Sequence, residues 1–249
     1  MIWRIIASLF LILQGPAFPG PGSGPFTAAS GVSLDAHNYY ANQTLSSCAD
    51  SVTSNCQITT TFSVPTTGDA VDVAFQGCWN AGCSTGHGGT ITVVDGTNSY
   101  SVVSAASNDV SGFFLLRYTA CNATAGTYTL KINSSTGDGF YYMRAEAATY
   151  KGAHATGCLD TAVSQLNTGS ATTATGTSAG NPSATGEIGV VFINGTPPFS
   201  APTCTQLDYN SADGIGYENT SNPSTGSTFS CSVTQASGNY TSSTIAFKP

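Results

Sequence analysis

Charged side chains are scarce in this chain. Only 8% of the 249 residues are charged, and 6 Lys and Arg residues face 13 Asp and Glu residues, which gives a net charge of -7. Beyond the N-terminus the basic residues are scattered rather than clustered: Arg117, Lys131, Arg144, Lys151 and Lys248. Because binding to phosphates of nucleic acids needs clustered Lys and Arg, this composition argues against a nucleic-acid partner. Abundant Ser, Thr, Gly and Asn are instead typical of secreted β proteins.

The sequence also lacks any sustained apolar stripe at helical spacing. Short runs with period-two alternation take its place, and they predict strands. In the run of residues 139–152, Tyr141, Met143, Ala145 and Ala147 face one way, and the intervening residues face the other. This run carries apolar side chains on both faces, so we expect a strand inside a sheet. Further strands are predicted at residues 31–41, 58–64, 71–75, 90–94, 98–103, 112–120, 127–132, 186–193, 206–210, 228–233 and 240–247.

Short strands without helical crossovers favour an all-β fold, an antiparallel two-sheet sandwich of jelly-roll or immunoglobulin-like type. Asp95-Gly96 predicts a tight hairpin between residues 90–94 and 98–103. The Thr/Ser/Gly/Ala tract at residues 168–185 is either a linker between two domains or a polar edge strand at residues 170–177. We favour a single domain over residues 31–249, because the later strands need partners to bury their apolar side chains.

No apolar run is long enough for a transmembrane helix. Ile5 to Leu13 is apolar, follows Arg4 and precedes a Gly/Pro-rich stretch, which is the pattern of a secretory signal. We therefore expect a signal peptide at residues 1–17, a linker at residues 18–30 and a secreted, extracellular protein without a stable membrane span after processing. The alternative is a retained membrane anchor.

The chain has no C-x-x-C pair, and its 3 histidines lie far from the cysteine clusters. A zinc–thiolate site is therefore disfavoured against disulfides, which the 8 cysteines of an exported chain predict. The spacing suggests two local bridges and two longer ones: Cys48–Cys56, Cys78–Cys83, Cys121–Cys158 and Cys204–Cys231.

Several segments resemble, in their order, a group of uncharacterised secreted bacterial β-sandwich proteins. They are VVDGTNSY at 93–100, ATYKG at 148–152, the Leu159-Asp160 pair, GEIGVV at 186–191 and STIAFK at 243–248. The resemblance spans residues 58–248 and implies a fold, with no established activity or catalytic residue. Those proteins usually carry an acidic residue where this chain has Thr149, and they have fewer cysteines.

The Gly-rich stretch at residues 77–89 is the most distinctive candidate for ligand binding. It carries Trp79, Asn80 and His87, and a loop that presents an indole on a rigid scaffold can bind a sugar ring or an apolar partner. In the alternative, Trp79 folds back onto the core.

Asp208, Asn210 and Asp213 offer oxygen ligands close together, as calcium loops do, although a plain turn explains them more simply. No other cofactor is expected.

Glu146 lies two residues from Arg144, and Asp72 lies on what we predict to be a neighbouring strand. Two carboxylates could hydrolyse a glycoside, but a solvated or paired charge is the simpler interpretation of Glu146. We therefore favour a secreted, non-enzymatic module that binds glycan or other cell-surface or matrix material. The alternatives are an extracellular carbohydrate-active enzyme and a self-associating surface or matrix subunit.

Overall fold

The computed structural model describes residues 31–44, 57–78, 90–109, 113–134, 142–196, 198–209 and 215–249. The predicted signal peptide (residues 1–17) and linker (residues 18–30) lie outside these residues.

The described residues form antiparallel β-structure with one short 3-10 turn, so the all-β prediction is confirmed. In chain order the strands are β1 (Ser33–Thr44), β2 (Gln57–Val64), β3 (Asp69–Cys78), β4 (Ile91–Val94), β5 (Ser101–Val102), β6 (Asn108–Asp109), β7 (Phe113–Ala123), β8 (Gly126–Ser134), β9 (Tyr142–Lys151), β10 (Gln165–Thr177), β11 (Ile188–Asn194), β12 (Thr205–Tyr209), β13 (Ile215–Ser221) and β14 (Ser230–Phe247).

These strands lie in three sheets, so the predicted number of two was wrong. A six-stranded sheet has the order β1-β9-β3-β7-β5, with β6 also paired to β7. A three-stranded sheet has the order β2-β8-β4, and a five-stranded sheet has the order β10-β14-β11-β13-β12. The first half of the chain alternates between the six-stranded and three-stranded sheets, and alternating strand patterns cannot tell two sheets from three.

The predicted hairpin at Asp95-Gly96 does not form, because β4 pairs with β8 and β5 pairs with β7 in another sheet. The Asp95 carboxylate explains the difference. Its Oδ1 accepts the backbone N–H groups of Thr97 and Asn98 at 2.8 and 2.7 Å. Its Oδ2 accepts the Tyr100 hydroxyl at 2.9 Å. These bonds hold residues 95–100 in a connection between two sheets rather than in a two-residue hairpin turn.

The six-stranded sheet is buried on both faces, as the apolar character of β9 predicts. Ala145 and Ala147 join an apolar cluster with side chains of β2, β4 and β8 in the three-stranded sheet. Ala148 and Tyr150 join another cluster with side chains of β11 and β14 in the five-stranded sheet. The Tyr150 ring stacks on Phe247 with ring centroids 5.0 Å apart. This alternation confirms the predicted facing of β9.

The paired strands β10 and β14 fold back over the outer face of their own sheet. A strand rises about 3.3 Å per residue, so Asn167 and Thr177 would lie about 30 Å apart in a straight strand. Instead, Asn167 Oδ1 accepts the Thr177 N–H at 3.0 Å. At Gly176 an added Cβ would come within 2.2 Å of Val191 Cγ1. The bend coincides with a register shift between Ala171 and Thr173.

This folding-back merges two predicted strands, residues 228–233 and 240–247, into the single strand β14 (Ser230–Phe247). The polar tract forms β10 at one edge of the five-stranded sheet, so the edge-strand interpretation of this tract is correct and the linker interpretation is wrong. Strand β13 was not predicted.

Two of the four predicted disulfides fall within the described residues, and both are present. Cys121–Cys158 joins β7 to the segment after β9, with a Cα–Cα distance of 5.7 Å. Cys204–Cys231 joins the segment before β12 to β14, with a Cα–Cα distance of 5.5 Å. Cys48, Cys56, Cys83 and the side chain of Cys78 lie outside the described part of the structure, so the other two bridges stay predictions. Disulfides of this kind are typical of an oxidising compartment.

Candidate functional site

Four strands of the six-stranded sheet reach the same end of that sheet. Thr44 of β1 and Cys78 of β3 both pair with Tyr142 of β9. Cys78 also pairs with Phe113 of β7. The chain therefore enters or leaves the sheet at four neighbouring positions, and we call this the Cys78 end. The predicted binding residues Trp79, Asn80 and His87 follow Cys78 directly but lie outside the described residues.

A group of polar side chains lies beneath the Cys78 end, on the face of the sheet that packs toward the five-stranded sheet. Gln76, Arg144 and Glu146 are no more than 2% exposed. The solvated-charge interpretation of Glu146 is therefore wrong, since β9 is an interior strand and buries both faces. His37 of the edge strand β1 places its Nδ1 3.9 Å from Glu146 Oε1, and its side chain is 34% exposed. The partly exposed imidazole of His37 thus lies between this buried polar group and the edge of the sheet.

Asp72, the other carboxylate considered for catalysis, is occupied by Arg117. The Arg117 Nε–H donates to Asp72 Oδ1 at 2.9 Å, and its Nη2 makes a close ion pair with Oδ2. The guanidinium also donates from Nη1 to the Ser243 carbonyl oxygen at 2.9 Å and to that of Val190. Both charged side chains are essentially buried. A fully bonded ion pair of this kind joins two sheets and leaves Asp72 without a role in acid or base catalysis.

Asp35 and Asp69 form a carboxyl pair at the opposite end of the six-stranded sheet. Asp35 accepts the Thr66 hydroxyl at 2.8 Å and the Lys151 ammonium at 3.2 Å. Burial, the charge of Asp35 and a hydrogen bond with Asp35 raise the pKa of Asp69 to about 6. Burial also acts on Asp35, but the bonds from Thr66 and Lys151 outweigh it and hold its pKa below the usual value. The pKa values of the two carboxyl groups are thus shifted in opposite directions, that of Asp69 upward and that of Asp35 downward.

A second carboxyl pair joins Asp160 to Glu187. Glu187 is fully buried, and its Oε1 accepts the Ala184 N–H at 2.7 Å and the Ser183 hydroxyl at 3.2 Å. Burial raises the pKa of Glu187, and the neighbouring Asp160 adds to the rise. Asp160 is also buried, but the Ser183 N–H at 2.8 Å and the Ala162 N–H at 3.0 Å hold its pKa below the usual value. Sequence reasoning missed both pairs, because the partners come from distant strands and turns.

The predicted calcium ligands are not brought together within the described structure. Asp208 lies on β12, where its backbone pairs with Glu218 of β13. Asn210 and Asp213 lie outside the described residues. Among the residues that are described, no three His, Cys, Asp or Glu side chains are grouped so that they could hold a metal ion. The calcium site stays a prediction.

The described part of the chain contains no helix with the length and apolar character needed to cross a membrane. Comparison of the chain with protein-family models, with curated proteins and with solved structures found no match.

Proposed function

We propose that the protein is a secreted, single-domain β-sandwich that binds glycan or other cell-surface material at the Cys78 end. The observation that carries this proposal is the convergence of Thr44, Cys78, Phe113 and Tyr142 as cross-strand neighbours. Connections that leave a rigid sheet at adjacent positions supply their side chains to one region of the surface. Loops held in this way on a scaffold are where binding residues concentrate.

The packing supports a sandwich in which the six-stranded sheet is the middle layer. Its two faces contribute to separate apolar clusters, one with the three-stranded sheet and one with the five-stranded sheet. The second cluster unites Val32 and Ala70 from the first half of the chain with Ile245 and Phe247 from its end. A core shared by both halves of the sequence supports one domain over residues 31–249.

The chemistry of the residues that follow Cys78 supports a glycan or similar ligand. An indole supplies a flat apolar surface for a sugar ring, while an amide and an imidazole supply directional hydrogen bonds. Trp79, Asn80 and His87 carry these three groups within one connection between β3 and β4. The scarcity of charge on the chain favours a neutral, hydroxyl-rich ligand over a polyanion.

The carbohydrate-active enzyme has less support. Asp72 is held by Arg117, and Glu146 is 2% exposed. A glycosidase needs two carboxyl groups that reach the scissile bond from opposite sides, and neither of these side chains is placed for that on the described surface.

The test is binding of the mature protein to a glycan array and to insoluble polysaccharides, with a Trp79→Ala variant beside it. Loss of one stacking aromatic is expected to weaken binding about tenfold or more, and Trp79→Phe should restore part of it. Val102→Ala is the matched control, because Val102 is 48% exposed and pairs with Tyr118, five residues along β7 from Phe113 at the Cys78 end.

Binding that Trp79→Ala leaves unchanged would remove this region from the proposal. Absence of binding to any glycan would overturn the glycan function, and sedimentation as an oligomer would then favour self-association. A hydrolase screen with Glu146→Gln runs alongside, and turnover that this variant abolishes in a folded protein would establish the enzyme instead.

A further inference from the structure

We propose that a groove beside His154 and Lys248 is a second binding site, for a small oxyanion such as the carboxylate of an acidic sugar or a phosphate group. The groove has a volume of about 230 Å³ and is lined by His154, Thr156, Gly157, Ala184, Lys248 and Pro249. It lies beyond the last residue of β9, at the end of the molecule opposite the Cys78 end, and does not depend on the function proposed there.

Backbone bonds fix the two cationic residues relative to each other. The His154 N–H donates to the Lys248 carbonyl oxygen at 2.8 Å, and the Lys248 N–H donates to the Cys158 carbonyl oxygen at 2.7 Å. Cys158 is in turn bonded to Cys121 of β7. The groove is therefore built on a cross-linked frame, so that little conformational entropy is lost when a ligand binds.

Among the described residues, the Lys248 ammonium has no acidic side chain as a partner, unlike most other basic side chains of this acidic chain. Arg117 and Arg144 are buried, and Lys151 makes an ion pair with Asp35 at 3.2 Å. Among the described residues, the Lys248 ammonium makes neither a hydrogen bond nor an ion pair. A basic residue that lines a groove is suited to an anionic ligand.

The ring of His154 is anchored in a way that leaves one nitrogen for a ligand. Its Nδ1 lies 2.6 Å from the Thr156 carbonyl oxygen and 3.3 Å from the Thr156 backbone nitrogen. Both contacts involve Nδ1, so Nε2 is the ring nitrogen left for an oxyanion. Glu187 lies behind Ala184, whose N–H it accepts at 2.7 Å, but it is fully buried and does not line the groove.

The size of the groove restricts the ligand to a single small group. Pockets for drug-sized ligands measure roughly 300–1,000 Å³, and this one is smaller. One sugar ring with a carboxylate, or one phosphate, is compatible with this volume. We therefore expect the groove to select a compact ligand group that carries a negative charge.

The experiment is an NMR titration of the full mature protein with glucuronate, inorganic phosphate and glucose at one fixed pH. The resonances of the His154 ring and of the Lys248 amide report on the groove. We expect both anions to shift them with saturation, and glucose to leave them unchanged. Lys248→Gln and His154→Gln should each weaken binding by ~3–10-fold, as expected for loss of one charged hydrogen bond. Lys131→Gln should not, since Lys131 lies on β8 in another sheet.

Saturation by phosphate alone identifies a phosphate group as the ligand, and tighter binding of glucuronate identifies an acidic sugar. Either result supports the site. The proposal is overturned if neither anion saturates these resonances, or if Lys131→Gln weakens binding as much as Lys248→Gln does. Because Trp79→Ala leaves the groove intact, failure at the Cys78 end and failure here are separate results.

Discussion

Replacing Asp69 with Asn is expected to stabilise the protein at neutral pH while changing its stability little in mild acid. Asp69 is 1% exposed at the start of β3, where burial and the nearby Asp35 carboxyl group act on its pKa. Asn has nearly the same shape, carries no charge, and can donate an N–H to the Asp35 carboxylate at any pH. The substitution therefore keeps the contact with Asp35 and removes the ionisable carboxyl group at residue 69.

The sign of the effect follows from the pKa of Asp69, which is raised from 3.8 to about 6 in the folded protein. Below pH 3.8 the carboxyl group is protonated in both states, and its contribution to stability is fully present. As the pH rises through about 6, the unfolded chain is already ionised and the folded protein is not, so this contribution is lost. Since each pKa unit corresponds to about 1.4 kcal/mol, we expect a loss on the order of 1–3 kcal/mol. Asp35 has the opposite dependence, with a smaller shift in its pKa.

The assay is urea unfolding of the disulfide-bonded protein between about pH 4 and pH 8 at constant ionic strength. The difference in unfolding free energy between Asp69→Asn and the wild type gives the contribution of Asp69 alone, because Glu187 titrates in both proteins and its contribution cancels. The matched control is Asp72→Asn, which leaves Arg117 with a weaker partner in a buried site. It should destabilise the protein by several kcal/mol at every pH.

The reasoning is refuted if Asp69→Asn destabilises the protein equally across the pH range. It is also refuted if the variant and the wild type lose stability in parallel between about pH 4 and pH 7.

Three further perturbations test the packing, each measured by urea unfolding. Arg117→Met should destabilise the protein by ~3–5 kcal/mol, because its buried carboxylate partner is left unpaired; a loss below 1 kcal/mol contradicts the buried ion pair. Replacing Cys121 and Cys158 with Ala should lower the free energy of unfolding by ~2–4 kcal/mol. A change within error would mean that the bridge constrains neither the folded nor the unfolded state. Gly176→Ala should cost ~1–3 kcal/mol by overpacking, whereas the exposed neighbour Thr172→Ala should be nearly neutral; equal effects would contradict the folded-back β10.

The strand pattern could be predicted where alternation was complete. β9 faces as expected because the small apolar Ala145 and Ala147 alternate with the charged Arg144 and Glu146. The even number of cysteines predicted disulfides, and the two preferred longer pairs within the described residues, Cys121–Cys158 and Cys204–Cys231, are confirmed.

The sheet pairing could not be predicted, because it depends on contacts between distant parts of the chain. Asp95-Gly96 has the composition of a hairpin turn, but the Asp95 carboxylate bonds forward to Asn98 and Tyr100 and sends the chain to another sheet. The bend of β10 depends on a register shift and on the space beside Gly176, neither of which alternation encodes.

The polar part of the candidate site was also beyond sequence reasoning. Charged residues in an alternating strand usually face water, so a solvated or paired charge was the simpler interpretation of Glu146. The packing of a third sheet over this face buries Arg144 and Glu146 together with Gln76. The binding residues that were predicted from composition follow the strand end where these polar groups lie.

The measurement that tests the central claim most directly is an amide NMR titration of the mature protein with a glycan selected from the array. Binding at the Cys78 end predicts that the largest shift changes fall on the strand ends at Thr44, Cys78, Phe113 and Tyr142 and on the residues that connect them. Shift changes concentrated on β12 and β13, with those four amides unaffected, would contradict it.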